Sequence, residues 1–180
     1  EGVHITHLMR RINALSTEWS RRFSFPSSQG ELYIHVSADG EIFDFTHAYH
    51  IDVYSCTDNS FIRRLTTTYS YPPAAGELAS HQCGDVVGNE LFIGKTSYQF
   101  SLAKILVLNK ITGAYIREFG TYGDAEGQMH TIRSISVGSG VVYVCDFEHN
   151  YIQVFNATTG AYVTKFGDRT YDVRRVLYMN

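Results

Sequence analysis

A chain of 180 residues is long enough for one domain with a sizeable core. Its formal charge of -3 excludes a bulk polyanion binder, so nucleic-acid contact would have to rest on a local basic patch. With 13 Tyr, 11 Phe, 15 Gly and only 3 Pro, the composition points to an all-β chain with glycine-containing turns.

In chain order, the first feature is Glu1-Gly2-Val3-His4, with no initiator methionine and no apolar signal run, which reads as a processed product or an excised piece. A hairpin pattern then occurs four times: Met9 to Phe23, Ile51 to Leu65, Ile105 to Phe119 and Ile152 to Phe166. Each copy is an apolar strand, a polar turn and a second strand. In the last copy, Asn156 and Gly160 bracket the turn, where a left-handed backbone is cheap for Gly and tolerable for Asn. The copies recur at periods typical of propellers and solenoids. Trp19, Phe61, Tyr115 and Tyr162 share one slot, and Phe23, Leu65, Phe119 and Phe166 another. Both slots are expected to pack between repeats.

A second hairpin lies between the copies. Its members are Leu32 to Phe43 around Asp39-Gly40, Asp85 to Ile93 around Gly88-Asn89, and Ile132 to Asp146 around Gly138-Ser139-Gly140. Two hairpins make a four-stranded antiparallel unit, which is a propeller blade. The expected organisation is a single propeller domain or fragment over 1–180: a partial blade at 8–23, blades at 24–66, 77–120 and 127–167, and the first strand of a further blade at 171–180. Such an array either closes as four blades or belongs to a larger or oligomer-completed ring. The second is favoured, because an open blade edge needs a partner. Lys95 to Leu102 reads as a loop insertion and Thr66 to Glu77 as a turn-rich inter-blade loop. No helix is expected.

Gly127-Gln128-Met129-His130-Thr131-Ile132-Arg133, then Val142-Tyr143-Val144-Cys145-Asp146, then Asn150-Tyr151-Ile152-Gln153-Val154-Phe155, closing on Phe166-Gly167, resembles an NHL repeat. Tyr151 stands where that family usually has Arg, and Phe45 is read at the place of Asp146 in the first full repeat, with Asp44 adjacent. The resemblance implies a propeller, usually of six blades. Some NHL-like enzymes hold zinc through channel histidines, and NHL domains of the tripartite-motif type bind RNA on a basic rim.

Eight histidines are scattered along the chain. His47 and His149 fall in loops between second and third strands. His35, expected on an innermost strand, and His130 are the metal candidates, though scattered loop histidines without a metal are the leading reading. No cofactor is expected. The sequence shows no Ser-His-Asp pattern and no nucleophile elbow. Asp44, Asp85, Asp124 and Asp146 lack calcium-loop spacing, and Asp146 reads as a structural carboxylate. Cys56, Cys83 and Cys145 match no zinc pattern and read as small buried or half-buried residues. Arginine pairs such as Arg63-Arg64 read as solvated charge that blunts outer strands. Arg133 and Arg174, each just before an innermost strand, with Phe147, His149 and Tyr151, form the expected rim contact surface.

The leading expectation is therefore a noncatalytic interaction module or scaffold, binding a protein partner or self-assembling through its rim or exposed blade edge. A metal-dependent lyase- or lactonase-like enzyme and an RNA-binding domain are the alternatives, with RNA ranked below a protein partner. No segment is apolar enough for membrane insertion as a helix.

Overall fold

The structure, a computed structural model, describes residues 34–47, 49–67, 70, 74–78 and 81–167. The expected partial blade at 8–23, the strand at 171–180 and Arg174 lie outside the described residues. Three four-stranded antiparallel sheets account for most of the rest. Blade 1 is β1 (Ile34–Val36), β2 (Glu41–Asp44), β3 (His50–Ser55) and β4 (Phe61–Thr66). Blade 2 is β5 (His81–Val87), β6 (Glu90–Ser97), β7 (Leu102–Asn109) and β8 (Tyr115–Phe119). A two-stranded parallel ribbon, β9 (Thr121–Tyr122) with β10 (Gln128–Met129), leads into blade 3. Blade 3 is β11 (Ile132–Gly138), β12 (Val141–Asp146), β13 (Tyr151–Asn156) and β14 (Tyr162–Phe166). Each sheet runs in sequence order, and β5 packs against both β1 and β11, so the first strands gather on one side.

Neighbouring blades share apolar cores. Phe43, Ile51, Val53 and Leu65 of blade 1 meet Leu91, Ile93, Leu106 and Leu108 of blade 2. The other face of blade 2, with Phe92, Ile105 and Val107, meets Ile135, Val142, Val144 and Phe155 of blade 3. Strand β7 thus feeds alternate side chains into two different cores, as a strand buried on both faces does.

The outer turns of blades 2 and 3 repeat the same bonds. Asn109 Oδ1 accepts from the backbone N–H of Ile111 and Thr112, and Asn156 Oδ1 from Thr158 and Thr159. Gly113 and Gly160 close these turns with φ of 71° each. Asn156 itself is not left-handed; it shapes the turn through its side chain.

Each of the three described blades carries a β-bulge between its third and fourth strands, at Val53/Tyr54, Val107/Leu108 and Val154/Phe155. In blades 1 and 2 the bulge overturns the expected packing of the aromatic slot. Phe61 is 54% and Tyr115 52% exposed, because the extra residue turns this end of the strand outward. The extra residues Ile62, Ile116 and Val163 are exposed as well. Tyr115 instead lies over Gly76, where a Cβ would come within 2.8 Å of it, whereas Tyr162 is half-buried against the core that blades 2 and 3 share, as expected.

Two other expectations are corrected. Lys95 to Ser97 are not an inserted loop, because β6 and β7 stay paired through Lys95↔Lys104, Thr96↔Ala103 and Ser97↔Leu102, and only a short 3-10 turn at Tyr98–Phe100 and Ser101 follow. Arg63 is not solvated charge. It donates to both carboxylate oxygens of Glu41, at 2.5 and 2.9 Å, and reaches the carbonyl of Lys110 in the outer turn of blade 2 at 2.8 Å. Arg117, at the same register position of blade 2, holds Glu90 and the carbonyl of Ala157 in blade 3. Arg63 therefore clamps blade 1 to the turn of blade 2, and Arg117 clamps blade 2 to the turn of blade 3. Thr164 takes that register position in blade 3.

Candidate functional site

Antiparallel pairing of β11 with β12 puts Ile132 opposite Asp146. His130, just before β11, and His149, just after β12, therefore meet at one end of blade 3. Asp124, in the turn between β9 and β10, completes the group. His149 Nε2 is 3.0 Å and His130 Nε2 3.5 Å from the same oxygen, Asp124 Oδ1. The ligand atoms of the three side chains all lie within 4.8 Å of one another. His149 is buried, with 4% of its side chain exposed, and Asp124 is open to solvent at 81%.

Asp146 fixes this arrangement from beneath. It is fully buried and accepts from the backbone N–H of His130 and Thr131, at 3.1 and 3.2 Å. Its Oδ2 also lies 2.7 Å from His149 Nδ1. As the sequence indicated, it is a structural carboxylate, and it additionally orients an imidazole. Burial lowers the pKa of His149, but the hydrogen bonds and charges of Asp124 and Asp146 outweigh it and raise the value above the ordinary one.

The loop that carries Asp124 is held by Gln153, a buried amide on β13. Gln153 Oε1 accepts from Gly127 N at 3.1 Å, and its Nε2 donates to the carbonyl of Gln128. Gln128 in turn accepts from Ala125 N at 3.0 Å. Gly123 and Gly127 have positive φ, and a Cβ on Gly123 would meet Gln128 Oε1 at 2.2 Å. Ring stacking continues the site sideways: Tyr122 on His130, His130 against His149, and His149 on Tyr151, with centroids 4.5, 4.5 and 5.1 Å apart.

The expected rim residues divide. His149 and Tyr151 belong to this group. Arg133 and Phe147 pair with each other, the guanidinium 5.1 Å from the ring centroid. Tyr151 carries Lys165 over its outer face at 5.0 Å. His35 stands apart on β1, where its Nε2 lies 3.3 Å from Asp85 Oδ1. Asp85 also accepts from Val137 N of blade 3 at 2.6 Å, so one carboxylate ties together the first strands of all three described blades. The two metal candidates, His35 and His130, do not share a site.

Asp124 was the residue that sequence reasoning left unassigned. The usable signal reached only the two histidines: residues just before a first strand and just after its antiparallel second strand must share a rim. By register, the counterpart of Asp146 is Lys95 in blade 2 and Thr46 in blade 1, one residue beyond Phe45, counting from Glu41, Glu90 and Val141. Lys95 is buried, and burial lowers its pKa. The blade 3 site is therefore not a repeated feature of the described blades.

A second group, His47, His50 and Asp52, lies on blade 1. The rings of His47 and His50 stack at 4.2 Å, and His50 Nε2 is 3.7 Å from Asp52. Here Arg64 already holds both carboxylate oxygens, at 2.6 and 2.7 Å. Cys83 and Cys145 are free and buried, their thiols pushed up to about 12, chiefly by burial, so neither is a ready thiolate nucleophile.

No protein-family model matches the chain, and no curated protein sequence matches it; the likeness to NHL repeats therefore stays a resemblance. Solved structures do match. The glutaminyl cyclase of Myxococcus xanthus is 12% identical with a TM-score of 0.55, over 83% of this chain and 56% of that one. The hydrazine synthase of Kuenenia stuttgartiensis is 12% identical with a TM-score of 0.54, over 82% of this chain and 39% of that one. The computationally designed Ika8 protein is 14% identical with a TM-score of 0.51, over 81% and 39%. The chain thus spans about half or less of the length of these structures. At such identities the likeness concerns the fold alone, and with the stacked four-stranded sheets it makes this chain a β-propeller.

Proposed function

We propose that the chain is a noncatalytic interaction module that docks another blade-type sheet onto the outer face of blade 3. One comparison carries this reading. Phe43 and Phe92 are 0% and 1% exposed, whereas Tyr143, in their register position, is 40% exposed. Likewise Leu65 is 2% exposed, and Phe166, its counterpart, is 49% exposed. Leu65 faces Gly113 of blade 2, and Phe119 faces Gly160 of blade 3. The face of blade 3 is therefore chemically a blade-to-blade face, with two large rings set where a neighbour's outer turn would cover them.

The occupant that suits this face is a sheet whose outer turn closes on a left-handed residue. Gly113 and Gly160 already lie against Leu65 and Phe119 of the same chain, so a second copy would offer the outer turn of its blade 1, closed by Asn59 at φ 61°. Sedimentation velocity over a range of concentrations tests the reading. The expected result is reversible self-association that Phe166→Asp weakens at least tenfold. A protein that stays monomeric at every concentration, or associates equally well with Asp at 166, overturns it.

A further inference from the structure

We propose that Asp124, His130 and His149 form a binding site for one divalent transition-metal ion of the zinc class, on the rim of blade 3 and independent of the docking face. Two imidazoles and one carboxylate are a donor set suited to such an ion, leaving a fourth position open. Two ligands at ordinary zinc distances on a tetrahedron are ~3.3 Å apart. The observed 3.0 Å and 3.5 Å separations bracket that value.

Proton placement argues in the same direction. If His149 Nδ1 donates to Asp146, as the 2.7 Å contact and the buried acceptor indicate, the neutral ring points the lone pair of Nε2 at Asp124 Oδ1. Lone pair then faces lone pair unless a proton or a cation lies between. His130 Nε2 approaches the same oxygen. A neutral His130 can donate its own Nε2–H to that oxygen and an extra proton on His149 can reach it too, but a single metal ion serves all three donors. The arrangement of Asp146 behind His149 is the carboxylate–imidazole–metal relay that fixes tautomer and ring orientation.

The surroundings separate this group from the other histidine cluster. His50 Nε2 is buried with no hydrogen-bond partner, which by itself invites a cation. Yet Asp52 beside it is committed to the Arg64 guanidinium, and a divalent ion there would face a fixed positive charge. At the blade 3 site the nearby cations are turned onto aromatic faces, Lys165 over Tyr151 and Arg133 over Phe147. A buried glutamine, Gln153, holds the loop that presents Asp124, so the exposed ligand comes from an anchored turn.

The test is a zinc titration of the chelator-treated full chain in competition with a chromophoric chelator, with histidine ring resonances followed by NMR. The expected result is one equivalent of Zn²⁺ bound per chain, shifting the resonances of His130 and His149 but not His47. Asp124→Ala and His130→Ala each weaken binding at least tenfold, and His47→Ala leaves it unchanged. His149→Ala removes the partner of a buried carboxylate and can unfold the blade, so the exposed Asp124 carries the decisive substitution. Absence of stoichiometric binding, or binding indifferent to Asp124→Ala and His130→Ala, overturns the assignment.

Discussion

Asp85 shows how a single residue reaches across the molecule. From β5 it faces His35 of β1 and accepts from Val137 N of β11, so the charge of one side chain is shared among three blades. His35 titrates against that background. Burial lowers its pKa below 6.5, and the Asp85 charge only partly opposes the shift. The unfolded chain therefore binds a proton here at a higher pH than the folded protein does. Stability rises with pH through this window, is complete above about 6.5 and is lost as pH falls below it. His50, also lowered chiefly by burial, acts with the same sign. Replacing His35 with Gln isolates one contribution. Urea midpoints of the parent and His35→Gln from pH 5 to 8 are expected to diverge with pH, the parent gaining relative to the variant. Parallel curves would show that His35 has no role in the pH response.

At the scale of elements, the outer turn is the feature most legible from sequence. Asn, three intervening residues ending in Thr, and Gly specify it, and the structure builds it the same way at Asn109–Gly113 and Asn156–Gly160. Four-stranded blades were legible too, because period-two strands separated by glycine turns leave few alternatives. The bulge was not. It arises where two strand-four residues oppose one on strand three, a property of pairing rather than composition, and it turned Phe61 and Tyr115 from expected core into surface. The β9–β10 ribbon was equally hidden, since two-residue strands carry no periodicity, and with it went the placement of Asp124. Arg63 looked like solvated charge because its acceptor, the Lys110 carbonyl, belongs to a different blade. The turn glycines can be tested against each other. Gly160 and Gly88 are both left-handed, at φ 71° and 58°. A Cβ at Gly160 would lie 2.5 Å from Phe119, whereas nothing lies within 4 Å of one at Gly88. Gly88→Ala is expected to cost about 1 kcal/mol of backbone strain. Gly160→Ala is expected to cost about 1–3 kcal/mol more, since the blade 2–blade 3 contact must open. Equal losses in denaturant titrations of the two variants would mean that Phe119 yields freely.

Across the described blades, blade 2 is common to both cores, sharing one with blade 1 and the other with blade 3. Repeat arrays of this kind distribute stability between units and the interfaces between them. Leu106 lies wholly buried in the core with blade 1, while its neighbours Ile105 and Val107 lie wholly buried in the core with blade 3. A cavity at Leu106 directly weakens only the first interface, yet β7 cannot shift to relieve it without moving the second. Leu106→Ala is therefore expected to cost about 2–5 kcal/mol, the range for deleting a buried leucine. The loss should appear as a single transition with an unchanged urea slope. Amide exchange gives the sharper readout. If the blades unfold together, protection falls by the same factor in β3 of blade 1 and β12 of blade 3, even though β12 makes no contribution to the damaged core. Lost protection confined to blades 1 and 2 would instead mean that blade 3 opens independently. The arginine clamps argue for the concerted outcome, because Arg117 ties the fourth strand of blade 2 directly to the backbone of blade 3.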